Sequence, residues 1–312
     1  MANPKIGDAK VDKILSQFSQ KYVNKMYIAE MILPPLTVKE KTGKFAKYGK
    51  ENLRTYAEIF RAPGTRALTV DYSVSQGTYV CQERALEKRV ADEYVNNSDD
   101  PYNPKRDAVA TLMDNIWVNQ ENALAATLAD TAVITANTTL AGTDQWSDFT
   151  ASDPFDDIYT GIDTIRTATS QLPNTAWMSY EVMKTLKQHP DVREQLKYTN
   201  GGQLSNDAFI DFLKGFFNLE NVFVGTAIKN TADEGQTDVL ASVWGKHFWL
   251  GYISPRPTLM NATLGYTFSD VPRMVDTYRE EAYVADTVRV RYSYDQNLMD
   301  VNLTYLIKNA TA

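Results

Sequence analysis

Apolar residues recur at three- and four-residue intervals in the middle of the chain. The spacing predicts a helix with one buried face, which carries Phe155, Ile158, Ile162 and Ile165. Asp153 and Pro154 mark its start, because Asp accepts backbone N–H bonds and Pro fits the first helical position. The outward face is expected to carry Asp157, Thr160, Asp163 and Arg166.

The pattern continues as short helices and buried strands up to Gly225. An apolar run at 175–178 predicts a strand, and Ser179 can cap the helix that follows it. That helix is stopped by Pro190, a further helix is predicted over 191–197, and Ser205 can cap another. With a buried strand at 222–225, this stretch has the element order of an α+β unit.

The flanking segments predict more helices and strands. A helix over 11–31 ends before Pro34 and Pro35, and a helix of roughly 40 Å covers 104–130. Segment 37–79 alternates apolar and polar residues, which predicts two long strands. The remaining predictions are a charged helix at 82–97, a loop at 132–150, two strands about Gly245 within 239–252, and strands at 287–294 and 302–307 that return to the long helix.

Composition indicates a globular chain without disulfides. The chain has 312 residues, enough for one large or two closely joined domains, and Cys81 is its single cysteine. No apolar run approaches the roughly 18 to 20 residues of a membrane span. The net charge of -7 disfavours general nucleic-acid binding. Because the N-terminus lacks the apolar stretch of a secretory signal, we expect a protein made in the cytoplasm.

Side chains with catalytic or metal-binding chemistry are sparse. His189 precedes a proline and His247 lies in an aromatic strand, where a single histidine is most often structural, and Cys81 has no histidine near it in sequence. The acidic cluster within 153–157 could hold magnesium, but helix capping and the helix dipole account for it. Phosphate-loop, dinucleotide and nucleophile-elbow motifs are absent. We therefore expect no catalytic, cofactor or metal site and no enzyme.

Four stretches of the central unit resemble the axial domain of tailed-bacteriophage major capsid proteins. They are DPFDDI at 153–158, LPNTAWMSYEV at 172–182, LKQHP at 186–190 and NVFVG at 221–225. Those proteins share the Hong Kong 97-type shell fold with encapsulins. The resemblance extends more weakly, through the order of elements, over nearly the whole chain.

The resemblance implies an α+β fold divided into an arm, a loop and two domains. The implied parts are an N-terminal arm at 1–36, an extended β-hairpin loop at 37–80, a peripheral domain at 81–150 with a spine helix at 104–130, an axial domain at 151–270, and a second peripheral part at 271–312. The extended loop would lie on an adjacent subunit, because an isolated two-stranded ribbon is marginal in water.

The implied function is that of a major capsid protein, located in the virion head and assembled in the bacterial cytoplasm. Pentamers and hexamers of the chain would close an icosahedral shell, which encloses double-stranded DNA without reading its sequence. A portal protein is an implied partner, and a decoration protein is an optional one. With only about 33 residues before the extended loop, a long scaffolding domain fused at the N-terminus has no room, so any scaffolding protein is expected to be separate.

The candidate intersubunit contacts are Lys44, Lys47, Arg54 and Arg61 in the extended loop. Two alternatives for the loop stay open, a nucleic-acid surface and a solvated hairpin, although interspersed glutamates disfavour the first. For the whole chain, the alternatives are an encapsulin-type compartment that packages enzymes, a cytosolic enzyme with an unrecognised site, and a lectin-like or tail-component binding protein.

Overall fold

The computed structural model describes residues 10–11, 27–48, 60–61, 63–67, 69, 74–96, 103–200, 205–233, 235–258 and 261–312. The helices are α1 Ala29–Ile32, α2 Asp92–Asn96, α3 Pro104–Ala129, α4 Pro154–Thr169, α5 Tyr180–Gln188, α6 Pro190–Asn200 and α7 Asn206–Phe217. The strands up to the end of α7 are β1 Lys10–Val11, β2 Pro35–Thr37, β3 Thr42–Tyr48, β4 Val74–Val80, β5 Gln82–Ala91, β6 Asn137–Thr139 and β7 Thr175–Ser179. The later strands are β8 Asn221–Gly225, β9 Ile228–Asn230, β10 Leu240–Ser242, β11 Phe248–Gly251, β12 Gly265–Glu280, β13 Ala285–Leu298 and β14 Thr304–Lys308.

The first of two five-stranded sheets packs against the long helix α3. Its order is β1-β12-β13-β5, with β2 parallel to β12. Helix α3 begins as predicted, since Asn103 Oδ1 accepts from the backbone N of Lys105 at 3.2 Å and Pro104 follows the cap. Its apolar side packs on the sheet, with Val109, Met113 and Ile116 in one cluster with Val275, Val288 and Val290.

The predicted helix at 82–97 is wrong for most of its length. Residues 82–91 form strand β5, and only α2 is helical. Gln82 to Ala91 pair with Tyr294 to Ala285 of β13 along a continuous antiparallel ladder. The segment contains many good helix formers, but that weak local preference is overridden by ten residues of pairing.

The second sheet has the order β6-β14-β11-β7-β8 and is buried on both faces. Alternate residues of each strand face opposite sides. Met178 and Leu250 pack with α4 to α7, whereas Trp177 and Trp249 pack with the end of α3. The Trp249 Nε1 donates a hydrogen bond to the Leu128 carbonyl oxygen at 3.0 Å. Helix α3 therefore connects the two sheets.

The predicted start of helix α4 is confirmed, as are most of the residues predicted for its buried and exposed faces. Asp153 Oδ1 accepts from the backbone N of Phe155 and Asp156, both at 3.1 Å, and Ile158 and Ile165 are buried. The prediction that Asp157 faces outward is wrong, because its side chain is half-buried and accepts a hydrogen bond from Trp146 Nε1 at 2.8 Å. Burial raises the pKa of the Asp157 carboxyl.

Three other expectations change in detail. Strands β10 and β11 do not pair with each other: β10 pairs with β9, and β11 lies between β14 and β7. The final strand β14 hydrogen-bonds in the second sheet and not beside β13, although Leu306 still contacts the cluster at the end of α3. Only the end of the helix predicted at 11–31 is observed as a helix, in α1, and Val11 lies in strand β1. Residues 12–26 lie outside the described residues.

Candidate assembly interface

The base of the predicted extended loop is a hairpin fixed to the first sheet. Strands β3 and β4 pair from Thr42 opposite Val80 to Tyr48 opposite Val74. Rings of Phe45 and Tyr79 stack on Phe268 of β12, with centroid distances of 5.6 and 4.5 Å. The Val80 backbone N also donates to Asp295 Oδ2 at 2.9 Å, and Asn297 Nδ2 donates to the Thr78 carbonyl at 2.9 Å. The two-stranded prediction is confirmed at this base.

The described part of the loop beyond this base is open to solvent. Phe60 is fully exposed, and Arg61 beside it is exposed. Of the other candidate contact residues, Lys44 is exposed on β3, the backbone of Lys47 lies opposite Ser75, and Arg54 lies outside the described residues. The structure thus places Lys44 and Lys47 on one strand.

A buried carboxylate joins three distant parts of the chain. Glu121 of α3 accepts hydrogen bonds from the backbone N of Ile28 at 3.0 Å, from the backbone N of Ala29 at 2.8 Å and from Trp244 Nε1 at 2.5 Å. Its side chain is fully buried, and this burial raises the pKa of the carboxyl although the three donors oppose the shift. Glu121 therefore ties the start of α1 and the turn after β10 to the long helix.

Gly225, at the end of β8, lies against the ring of Trp244. A Cβ at this position would be 2.6 Å from Nε1 and 2.7 Å from Cγ of Trp244. The ring cannot retreat without disturbing its bond to Glu121, so Gly225→Ala is expected to lower the free energy of unfolding by about 1–3 kcal/mol. Urea unfolding of the unassembled subunit measures it.

The matched control is Gly215→Ala in α7. Gly215 is exposed, and a Cβ there meets no atom within 4 Å. Replacing a helical glycine by alanine raises stability by up to about 1 kcal/mol. A Gly225→Ala variant as stable as the wild type, or stabilised like Gly215→Ala, would disprove the close packing at Gly225.

Ser152, His189 and Asp191 have the composition of a hydrolase triad but not its hydrogen-bond directions. Ser152 Oγ donates to the Asp148 carbonyl at 2.6 Å, so it accepts from His189 Nε2 at 3.2 Å. With the proton on Nε2, a neutral His189 has no Nδ1 proton to donate to Asp191, whose Oδ2 is 3.5 Å away. A nucleophilic serine needs the opposite arrangement. This buried histidine is a structural link between two loops.

His247 and Cys81 are also held in structural settings. His247 Nδ1 accepts from the backbone N of Asn309 at 3.1 Å, and burial together with Lys308 lowers the pKa of the imidazole. Cys81 is buried, its Sγ is 3.6 Å from the Phe268 carbonyl oxygen, and burial with the charge of Asp270 raises the pKa of the thiol to about 11. A thiol in this state is a poor nucleophile at neutral pH.

The described residues contain neither a metal-binding cluster nor a membrane-spanning helix. No group of three or more His, Cys, Asp or Glu side chains is arranged to hold a metal ion. None of the described helices is long and apolar enough to cross a membrane.

Known proteins resemble this chain over almost its full length. The family model for Phage major capsid protein E matches residues 109–240. The major capsid protein of Burkholderia phage BcepMu is 29% identical over 306 residues, which cover 95% of each chain. The crystal structure of a phage-related protein from Bordetella bronchiseptica RB50 is 27% identical, with a TM-score of 0.77 and coverage of 97% of this chain and 98% of that one.

A more distant solved structure shows the fold alone. The mature capsid of bacteriophage PhiM1 gives a TM-score of 0.57 at 11% identity, over 98% of this chain and 92% of that one. The family model describes phage major capsid proteins, and the BcepMu relative is one of them. For this chain, both favour a subunit of a viral shell over an enzyme-packaging compartment or an enzyme. This chain accordingly has the Hong Kong 97-type capsid fold, and the function that its relatives indicate is that of a phage major capsid protein in the virion head.

Proposed function

We propose that copies of this chain form pentamers and hexamers, which close an icosahedral head around double-stranded DNA. Assembly of a shell from many copies is the common property of capsid proteins. In our proposal the rings form through an axial domain at 151–270, to whose sheet β6 and β14 also contribute. The rest of the segments at 81–150 and 271–312 forms the peripheral domain around α3. Repeated weak contacts suffice, because each is multiplied around a closed ring.

The observation that carries this proposal is the contrast within the loop at 37–80. Its base is fixed by stacking on Phe268, whereas Phe60 and Arg61 are exposed. The exposed Phe60 ring and Arg61 guanidinium are available to a neighbouring subunit, and aromatic and arginine side chains are enriched at protein interfaces. We therefore propose that the loop rests on a neighbouring subunit, as does the arm at 1–36.

Lys44, Lys47, Arg54 and Arg61 would meet acidic side chains of that neighbour. Such charge pairs orient subunits and speed their encounter more than they add affinity. The wider proposal includes a portal protein, a separate scaffolding protein and a decoration protein. The relationship to phage capsid proteins is the support for these three partners.

The double variant Lys44→Glu, Arg61→Glu is expected to assemble about tenfold more slowly at low salt, because electrostatic steering sets the association rate. Light scattering of the purified subunit after a change of buffer measures the rate. Raising the salt concentration should shrink the difference, since exposed charges are screened.

Lys184→Glu, Arg193→Glu, at exposed positions on α5 and α6, is the matched control, because it also replaces one lysine and one arginine by glutamate. It makes the same kind of charge change outside the loop and should assemble at nearly the wild-type rate. Equal rates for the double variant and the wild type, or equal slowing in the control, would remove the loop charges from the assembly contact.

A further inference from the structure

A cavity of about 240 Å³ lies between α1, α3 and β12. Tyr27, Trp117 and Gln120 line it together with Arg273 of β12, and we call it the Gln120 pocket. Pockets for drug-sized ligands measure roughly 300–1,000 Å³, so this one suits a smaller group, such as one residue of a peptide. Its mouth is open to solvent, because the lining residue Met31 is 43% exposed.

Gln120 carries a buried amide that has no partner among the described residues. The residue is 1% exposed, and neither Oε1 nor Nε2 of its side chain forms a hydrogen bond there. An unpaired buried polar group lowers stability, because water satisfied it in the unfolded chain. The adjacent Glu121 differs, since its oxygens already accept the three hydrogen bonds described above. The unused donor and acceptor of Gln120 match a ligand that offers the same pair, as a peptide group does.

The charges at the pocket compensate each other. Glu30 and Arg273 form an ion pair, and the Arg273 guanidinium lies 5.1 Å from the ring centroid of Trp117. A neutral ligand fits beside this ion pair better than a charged one, because a buried charge needs a partner of its own. The basic side chains of the extended loop would meet Arg273 here, while Glu30 and Glu121 already have partners. The charges therefore disfavour the loop of another copy as the occupant.

The pocket borders an open strand edge. Pro35, which lines the pocket, is the first residue of β2, and β2 pairs only with β12 among the described strands. A strand with a free edge can bind an extended peptide through main-chain hydrogen bonds, and a pocket beside it then selects one side chain of that peptide. The combination favours an extended peptide over a free small molecule.

We propose that the Gln120 pocket and the edge of β2 bind an extended, neutral peptide segment of a second protein. One residue of the segment enters the pocket, where its peptide group bonds to the Gln120 amide. The apolar side chain of that residue packs against Tyr27 and Trp117, whose ring centroids are 5.9 Å apart. The site is separate from the extended loop and does not depend on assembly of the shell.

The neutral capped tripeptide acetyl-Ala-Phe-Ala-amide is the probe, and a ligand-observed NMR titration of the full-length chain measures its dissociation constant. We expect a value in the millimolar range for the wild type. Gln120→Met should weaken binding at least about tenfold, because two hydrogen bonds are lost. The same variant should melt about 2 °C or more above the wild type, since methionine fills the space without an unpaired polar group. A purely structural role for Gln120 predicts a lower melting temperature instead.

Gln188→Met, at an exposed position on α5, is the matched control and should change neither binding nor melting temperature. Met31→Lys, at the mouth of the pocket, should also weaken binding, and it tests the site should Gln120→Met fail to fold. The basic tripeptide acetyl-Lys-Phe-Lys-amide should bind the wild type more weakly than the neutral one at physiological salt, where non-specific attraction between exposed charges is screened.

A neutral probe that does not bind the wild type, or that binds either pocket variant equally well, would overturn the site and leave water as the partner of Gln120. A basic tripeptide that binds as tightly as the neutral one, or more tightly, would assign the pocket to the extended loop of another copy and overturn the second protein. The titration needs no assembled shell, so neither result bears on the proposed shell function.

Discussion

Glu121→Ala is expected to lose about 3 kcal/mol or more of its free energy of unfolding. The substitution leaves three buried donors without an acceptor, the backbone N of Ile28 and Ala29 and the Trp244 indole. Each unsatisfied buried group costs about 1–3 kcal/mol, and the lost side chain leaves a cavity. Urea unfolding of the unassembled subunit, followed by tryptophan fluorescence, measures the loss.

Glu121→Gln is the matched control, because it keeps the size and one acceptor oxygen. We expect a smaller loss, since one carbonyl oxygen replaces two carboxylate oxygens. The two variants therefore separate the loss of hydrogen bonding from the loss of volume. An alanine variant as stable as the wild type would show that Glu121 does not hold the three segments together.

The same glutamine variant reports the pH dependence. The pKa of Glu121 is raised in the folded chain, so the folded state keeps its proton where the unfolded state has lost it. The contribution of this group to stability is present below the unfolded pKa and is lost as pH rises through the folded pKa. Relative to Glu121→Gln, the wild type should lose stability as pH rises through that window.

A chain in which Asn-Gly replaces residues 49–73 is expected to fold but not to form shells. Tyr48 and Val74 are direct partners in the hairpin, so a two-residue turn can join them. Stacking of Phe45 and Tyr79 on Phe268 still fixes the base. The variant lacks the surface that rests on the neighbour, so its shell yield should fall by at least about a hundredfold, the equivalent of roughly 2.7 kcal/mol.

Circular dichroism and melting temperature verify that this short-loop chain is folded. Replacing residues 231–239 by Asn-Gly, between the partners Asn230 and Leu240, tests whether shortening an exposed turn by the same design preserves folding. Shells of normal size and yield from the short-loop chain would show that assembly does not depend on the extended loop.

Elements whose local signals agree with their packing could be predicted from the sequence. Three helix starts are examples, with the N-caps Asp153, Ser179 and Ser205. At each one, the side-chain acceptor and the apolar period that follows it indicate the same first residue of the helix. The sequence predicts the long helix at 104–130 for the same reason. It ends at Ala129, one residue earlier.

The features that could not be predicted depend on contacts between residues far apart in the sequence. The residues of strand β5 favour a helix, and its pairing partner β13 is about 200 residues further along the chain. Glu121 lies among the apolar positions Trp117, Leu124 and Leu128 of α3, a pattern that could have marked it as a buried carboxylate. Its three donors come from residues 28, 29 and 244, which no local pattern connects with it.

Electron microscopy of the purified full-length chain, produced alone and together with the products of its neighbouring genes, tests the central claim most directly. We predict closed icosahedral shells, or free pentamers and hexamers, that disappear when residues 49–73 are replaced by the short turn. A chain that remains strictly monomeric or dimeric under every condition would contradict the account.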